Sequence, residues 1–534
     1  MAGAILYIPF LGGVHLFDWD EINFAESARE MLVSGDYLSV QIDFRAFWEK
    51  PPLFIWMQVL SMKLFGINEF AARFPNAICG IITAIYLFRT GKYLVSQKFG
   101  LIWSIMHGIS FLPFIYFKSG IIDPWFNLFI FAGLNCFFLF YKRENGQQQR
   151  KNLVLSAVFI GMAVLTKGPV GLLIFLLVAG IMILWNRLRF NMNLKQIASW
   201  LLVFIFIGGF WFILLILNGN YNIIGEFFTY QIRLFRTEDA GHGGFLLYHF
   251  VVILTGVFPA AILALPALLR KNNEMPQIRN YTAWMSVLLW VVLILFTIVK
   301  TKIVHYSSMA YFPISFLAAV TVYRIMEFRS GISIALRIVI VLIGTIWSLC
   351  FALFPFIEKF KYRIIESGLI KDDFATGNLS ANVTWTGLEP FIAALFVISL
   401  VISMYLINNK AKKALSILFS SSAIFIISFM LIATPRIELY SQNAAIEFFK
   451  SKKAQDVHIR NIGYKSYAPL FYAEKSEENA LVPVDTVLKG KIKKDAYFIF
   501  KNTSKNEVFK TYPELVLIRE RNGFVFAKRA KNSN

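Results

Sequence analysis

Long apolar runs separated by short polar loops dominate the chain, and many reach the roughly 20 residues needed to cross a bilayer. They predict spans near 70–90, 98–117, 122–141, 153–166, 169–186, 197–217, 246–269, 281–299, 303–324, 333–357, 388–408 and 414–433. An apolar start, Met1–Phe17, brings the expectation to about thirteen. That first run is short for a span and no Lys or Arg precedes it, which predicts a start displaced upstream rather than a cleaved signal peptide.

Two polar regions interrupt this pattern. The first runs from Asp18-Trp19-Asp20-Glu21 through Glu26, Arg29, Glu30 and Asp36 to Phe47-Trp48-Glu49-Lys50-Pro51-Pro52. Within it, Ala25, Ala28 and Leu32 fall on one helical face and the acids largely on another, which predicts an interfacial helix. Asp18 and Glu21 have capping-box spacing. Leu53–Phe65, with prolines before it and Gly66 after it, predicts a second interfacial helix. The second region begins after Thr434-Pro435, where spans cease. An amphipathic helix near Leu439–Lys453 is followed by strands at Ala496–Lys501, Leu515–Glu520 and Phe524–Lys528, the last two joined by the hairpin signal Asn522-Gly523. The expected fold is therefore a polytopic α-helical membrane protein with interfacial helices in its first outer loop and a small C-terminal α/β domain. The membrane part covers 1–433, with outer loops 18–68 and 218–245, and the soluble domain covers 434–534.

Composition agrees: 57% of the 534 residues are hydrophobic and 16% aromatic. The net charge of +21 does not point to nucleic acid, because the cations are dispersed over loops and span ends, where anionic lipid headgroups account for them. Alternate loops hold Arg89, Lys92 and Lys98, then Lys142, Arg143, Arg150 and Lys151, and later Lys410, Lys412 and Lys413, and are expected to be cytoplasmic. The opposite loops carry Asp20, Glu21, Glu49, Asp123, Glu226, Glu238, Asp239 and His242, so any chemistry faces outward. Cys79, Cys136 and Cys350 all fall in predicted spans, which argues against a disulfide framework or a cysteine metal site.

Several outward groups suit work on phosphate. Lys167, in the turn Thr166-Lys167-Gly168-Pro169, presents one cation, which a snorkelling lysine would also explain. Lys300 and Lys302, with Tyr306, present two more, and Arg233 and Arg236 precede the glycine-rich stretch that holds His242. Asp123-Pro124 opens a span, where capping is the alternative to chemistry. Beside a bound phosphate, Lys50, Arg233 or Arg236, and Lys300 or Lys302 would stabilise negative charge. Asp20, with Glu21 second, is the carboxylate chosen to accept or orient a proton.

In order along the chain, Asp20-Glu21, Ala25-Glu26, Arg29-Glu30-Met31, Ser34-Gly35-Asp36, Glu49-Lys50-Pro51-Pro52, Phe65-Gly66 and Arg73 resemble the aminoarabinose transferase and protein O-mannosyltransferase group of GT-C membrane glycosyltransferases. Leu165-Thr166-Lys167-Gly168-Pro169 and the Lys300-Thr301-Lys302 to Tyr306 segment extend the resemblance to about residue 330. It implies a polyprenyl-phosphate sugar donor carrying aminoarabinose, mannose or another hexose or pentose. The implied acceptor is lipid A, another glycolipid or a protein at the outer face of the bacterial inner membrane. It also implies that Asp20 is the catalytic carboxylate, Asp123 a second acid, and Lys50 a donor-phosphate contact. Glu49 and His242 resemble ligands of a divalent metal (Zn, Mg or Mn), although Gly243-Gly244 stands where the family pattern has an arginine. The competing class is a lipid flippase or transporter, which would place its ionisable groups near the midplane and often carry inverted repeats.

Overall fold

The computed structural model describes residues 2–142, 146–185, 192–236, 243–269 and 275–532. Among the described residues seven helices are long and apolar enough to cross a membrane: Glu69–Leu94, Asp123–Tyr141, Pro276–Ile298, Val304–Glu327, Ile334–Glu366, Glu389–Leu406 and Ala411–Ser441. Three bent pairs raise this to ten if each is one span: Gln97–Gly108 with Phe111–Phe117, Leu194–Gly208 with Phe210–Leu217, and Tyr248–Gly256 with Ala260–Leu269. The other three expected spans have shorter or more polar counterparts. The first is a six-residue helix, Ala2–Tyr7; Gly146–Lys167 opens on a polar turn; and Val170–Trp185 has 16 residues.

Both expected helices form, but the first does not keep its acids on an exposed face: every residue from Glu21 to Met31, including Glu26, Arg29 and Glu30, is buried. Asp20–Ser34 ends where Gly35 takes φ 73°, a left-handed turn that glycine adopts without a Cβ clash. Leu53–Phe65 starts after Pro52 and stops at Gly66. The expected capping box is replaced: Trp19 is the N-cap and makes no side-chain bond, while Glu21 accepts from the backbone N–H of Phe17 at 2.8 Å. Between these helices a two-residue ribbon pairs Gln41 with Ala46 and Ile42 with Arg45. Its turn residues Asp43 and Phe44 have φ of 59° and 52°, which L side chains disfavour. The Glu30 carboxyl offsets this by accepting from both of their N–H groups, at 2.7 and 2.9 Å.

The final span continues to Ser441 and leads into a four-stranded sheet. Its order is His458–Asn461, Ala496–Lys501, Phe524–Arg529, Val516–Arg521, with the first pair parallel and the others antiparallel. The sheet region packs directly on the first loop. Ala444, Ile446, Phe448, Phe471 and Phe526 share a core with Ile22, Ala25, Phe54 and Trp211. Polar bonds reinforce the contact: Leu16 N–H donates to the Tyr472 hydroxyl at 2.7 Å, and Arg29 donates to the Lys475 carbonyl at 3.1 Å.

Candidate active site

Loops far apart in sequence converge on one cavity of ≈ 520 Å³. Asp20 enters from the start of the first interfacial helix and Glu49 and Lys50 from the turn before the second. Asp123 and Lys167 come from span ends, Arg233 from helix Tyr221–Arg236, and Tyr306 from the turn opening Val304–Glu327. Seven of the twelve residues expected to do chemistry therefore line one chamber. Much of the remaining lining is apolar, including Phe126, Ile174, Phe296, Val299 and Met309.

The charges are arranged unevenly. Lys167 donates to Asp123 at 2.5 Å, and Asp123 is 2% exposed. Asp123 is thus an ion-pair partner inside the cavity, and its helix has no side-chain cap bond. Ser308 ties the pair to Val304–Glu327 by accepting from Asn127 at 2.8 Å and lying 3.5 Å from Asp123. The Lys167 ammonium also stands 5.5 Å from the Tyr306 ring centre, and Tyr230 is shared by Lys50 and Arg233, each 5.1 Å from its ring. Lys50 lies only 4.0 Å from Glu49, yet burial pulls its ammonium below the ordinary lysine range against the opposing pull of Glu49. Asp20 stays partly exposed, with the His305 imidazole 3.6 Å from its carboxylate.

Other expected residues lie elsewhere. Glu21 is buried away from the chamber and receives Arg73 at 2.9 and 2.8 Å, together with the N–H groups of Phe17 at 2.8 Å and Gly120 at 2.5 Å. Burial alone would raise its pKa, but the Arg73 charge and these donors hold it below the usual glutamate range. All of its hydrogen-bonding capacity is spent on structure. Lys302 is buried and donates to the carbonyls of Phe296, Thr297 and Val299 at 3.0, 2.6 and 2.6 Å, closing the end of a span. Lys300 is exposed and does not line the cavity. Arg236 ends its helix with its side chain outside the described residues, and His242 lies within the undescribed residues 237–242. Among the described residues no three His, Cys, Asp or Glu side chains stand close enough to hold a metal. Glu49 therefore has no metal-ligand set among the described residues.

Two basic residues of this cavity are not marked by the sequence, His305 and Lys465. The adjacent Tyr306 carried a signal that could have drawn in His305, whereas Lys465 belongs to the soluble domain, where no motif marked it.

Residues 49–212 match the sequence family described as dolichyl-phosphate-mannose-protein mannosyltransferase. A protein of Photorhabdus laumondii named undecaprenyl phosphate-alpha-4-amino-4-deoxy-L-arabinose arabinosyl transferase is 26% identical over 59% of this chain and 57% of its own length. A protein of the same name from Shewanella sediminis is 26% identical over 61% of this chain and 59% of its own length. The match thus spans less than two thirds of these curated relatives. Crystal structures of ArnT from Cupriavidus metallidurans, one bound to undecaprenyl phosphate and one apo, align with 100% of this chain and 98% of theirs. Their TM-scores are 0.77 and 0.78 at 15% identity, so the polytopic helical fold with its small C-terminal sheet is theirs.

Proposed function

We propose, from the chain's place in the GT-C group of aminoarabinose transferases and mannosyltransferases, that it moves a sugar from a polyprenyl-phosphate carrier to an acceptor at the outer face of the bacterial inner membrane. The observation that carries this reading is the chamber that Asp20, Lys50, Lys167 and Arg233 line together with a set of apolar side chains. A polyprenyl phosphate has the matching polarity, with an anionic head for the cations and an isoprenoid tail for the wall. The names of the relatives and the undecaprenyl phosphate bound by ArnT support that donor. The cation bias of the alternate loops supports the outward orientation.

In the reaction, the bond between the anomeric carbon and the carrier phosphate oxygen breaks, and its electron pair stays on that oxygen. Lys50 and Arg233 neutralise the added charge, and Lys167, fixed by Asp123, supports them. A new bond forms from the anomeric carbon to the acceptor oxygen. If the acceptor is a hydroxyl, its proton passes to the Asp20 carboxylate, which His305 helps to orient. If the acceptor is a phosphate, Asp20 instead stabilises positive charge on the sugar ring. Aminoarabinose, mannose and other pentoses or hexoses all suit this chemistry, as do lipid A, other glycolipids and proteins as acceptors.

The test uses purified protein in lipid, labelled undecaprenyl-phosphate sugars and an envelope extract. Movement of label to an extract component, with release of undecaprenyl phosphate, supports the reading. Label crossing between leaflets with no transfer would favour a flippase.

A further inference from the structure

We propose that His305 forms a proton relay with Asp20, and that the acceptor group is therefore a hydroxyl and not a phosphate. This rests on the transferase reading and decides between the two acceptor chemistries that reading leaves open. The Nδ1 atom of His305 stands 3.6 Å from the Asp20 carboxylate. His305 is also the one described residue that lines both the chamber and a second cavity of ≈ 640 Å³, so its ring forms part of the wall between them. A ring in that place has open space on two sides, as a group that exchanges protons with water requires.

The segment that carries the ring is fixed. Ser308 donates to the His305 carbonyl at 2.5 Å and lies 3.5 Å from Asp123, and the Tyr306 ring meets the imidazole edge-on with centres 5.2 Å apart. The charged and titratable groups that act on the ring are Asp20, Asp123, Lys50, Lys167 and His249, so carboxylates and ammoniums balance around it. A proton kept on the ring during transfer then offsets the negative charge that appears on the departing carrier phosphate. In the step, the acceptor O–H bond breaks as its oxygen bonds to the anomeric carbon, and the proton passes to Asp20 and on to His305 Nδ1. The imidazolium loses it to water after the product leaves. Each turnover with a hydroxyl yields one such proton, and Asp20 cannot act again until it is shed. A phosphate acceptor attacks through an oxygen that is already anionic. It brings no proton for this pair to take, and it would set a second anion beside Asp20.

The test supplies labelled undecaprenyl-phosphate sugars and an envelope extract to the full-length protein in lipid, comparing wild type with His305→Asn and His305→Gln from about pH 5 to 9. The linkage of the labelled product is read by mild acid, which cleaves a glycosyl phosphate and spares a glycoside. We expect an acid-stable product from wild type. Both variants should bind the donor as wild type does, lose roughly 10²-fold in transfer, and show a shifted acid limb in the pH–rate profile. The proposal is overturned if mild acid releases the label and leaves a phosphomonoester, or if either variant keeps the wild-type rate and profile. Loss of donor binding in both variants would assign His305 to the carrier instead and also overturn it. Absence of transfer by wild type would sink the transferase reading and the relay together, whereas transfer into a phosphate linkage sinks the relay alone.

Discussion

Asp123 and Lys167 form a tight buried ion pair in the chamber, and its energetics separate their roles from that of Asp20. Removing one member strands a buried charge, so Asp123→Asn should cut transfer and also destabilise the protein by roughly 3–5 kcal/mol, readable as a lowered thermal midpoint. Lys50→Ala should leave the fold intact and lower kcat by roughly 10²–10³, because its cation acts on charge that appears as the carrier departs. Glu30 supplies a pH effect. Burial and the neighbouring Glu26 raise its pKa from 4.5 to about 9, so the folded protein keeps a proton that the unfolded chain sheds. Its contribution to stability is full below about pH 4.5 and declines as pH rises towards 9. Glu30→Gln, which imitates the protonated form, should flatten the dependence of the thermal midpoint on pH across that window. An equally steep curve would remove Glu30 as its source.

Among the elements, the first interfacial helix shows what local pattern can and cannot disclose. That a helix follows Asp20, and the extent of Leu53–Phe65, were legible because apolar periodicity, proline and glycine are local signals. The division of labour between adjacent Asp20 and Glu21 was not. Glu21 is committed to Arg73, whose guanidinium also donates to the carbonyls of Leu11, Val14 and His15 at 2.8, 2.7 and 2.9 Å. No sequence spacing specifies that clamp between the chain start and the Glu69–Leu94 span. Arg73→Ala should therefore loosen the N-terminal segment, with faster hydrogen exchange at residues 11–21 and a loss of several kcal/mol. Unchanged exchange there would contradict the clamp. Lys302 illustrates the same limit: its sequence neighbours suggest a phosphate contact, yet three carbonyls at a helix end claim its ammonium.

At the scale of the whole molecule, the apolar runs disclosed the bundle, and Asn522-Gly523 disclosed the hairpin of the sheet. How the sheet region sits was hidden, because docking depends on complementary surfaces rather than on a repeat or motif. Its packing against Ile22, Ala25 and Trp211, with Lys465 lining the cavity, joins the C-terminal part to the candidate site rather than leaving it an appendage. The central claim is that this chamber transfers a sugar, with Asp20 acting on the acceptor side and the cations on the carrier side. The most direct measurement compares wild type with Asp20→Asn for donor binding and for transfer of the labelled sugar. The account predicts unchanged affinity for the polyprenyl-phosphate sugar and a fall in transfer of roughly 10²–10⁴. Transfer at the wild-type rate in Asp20→Asn would contradict it.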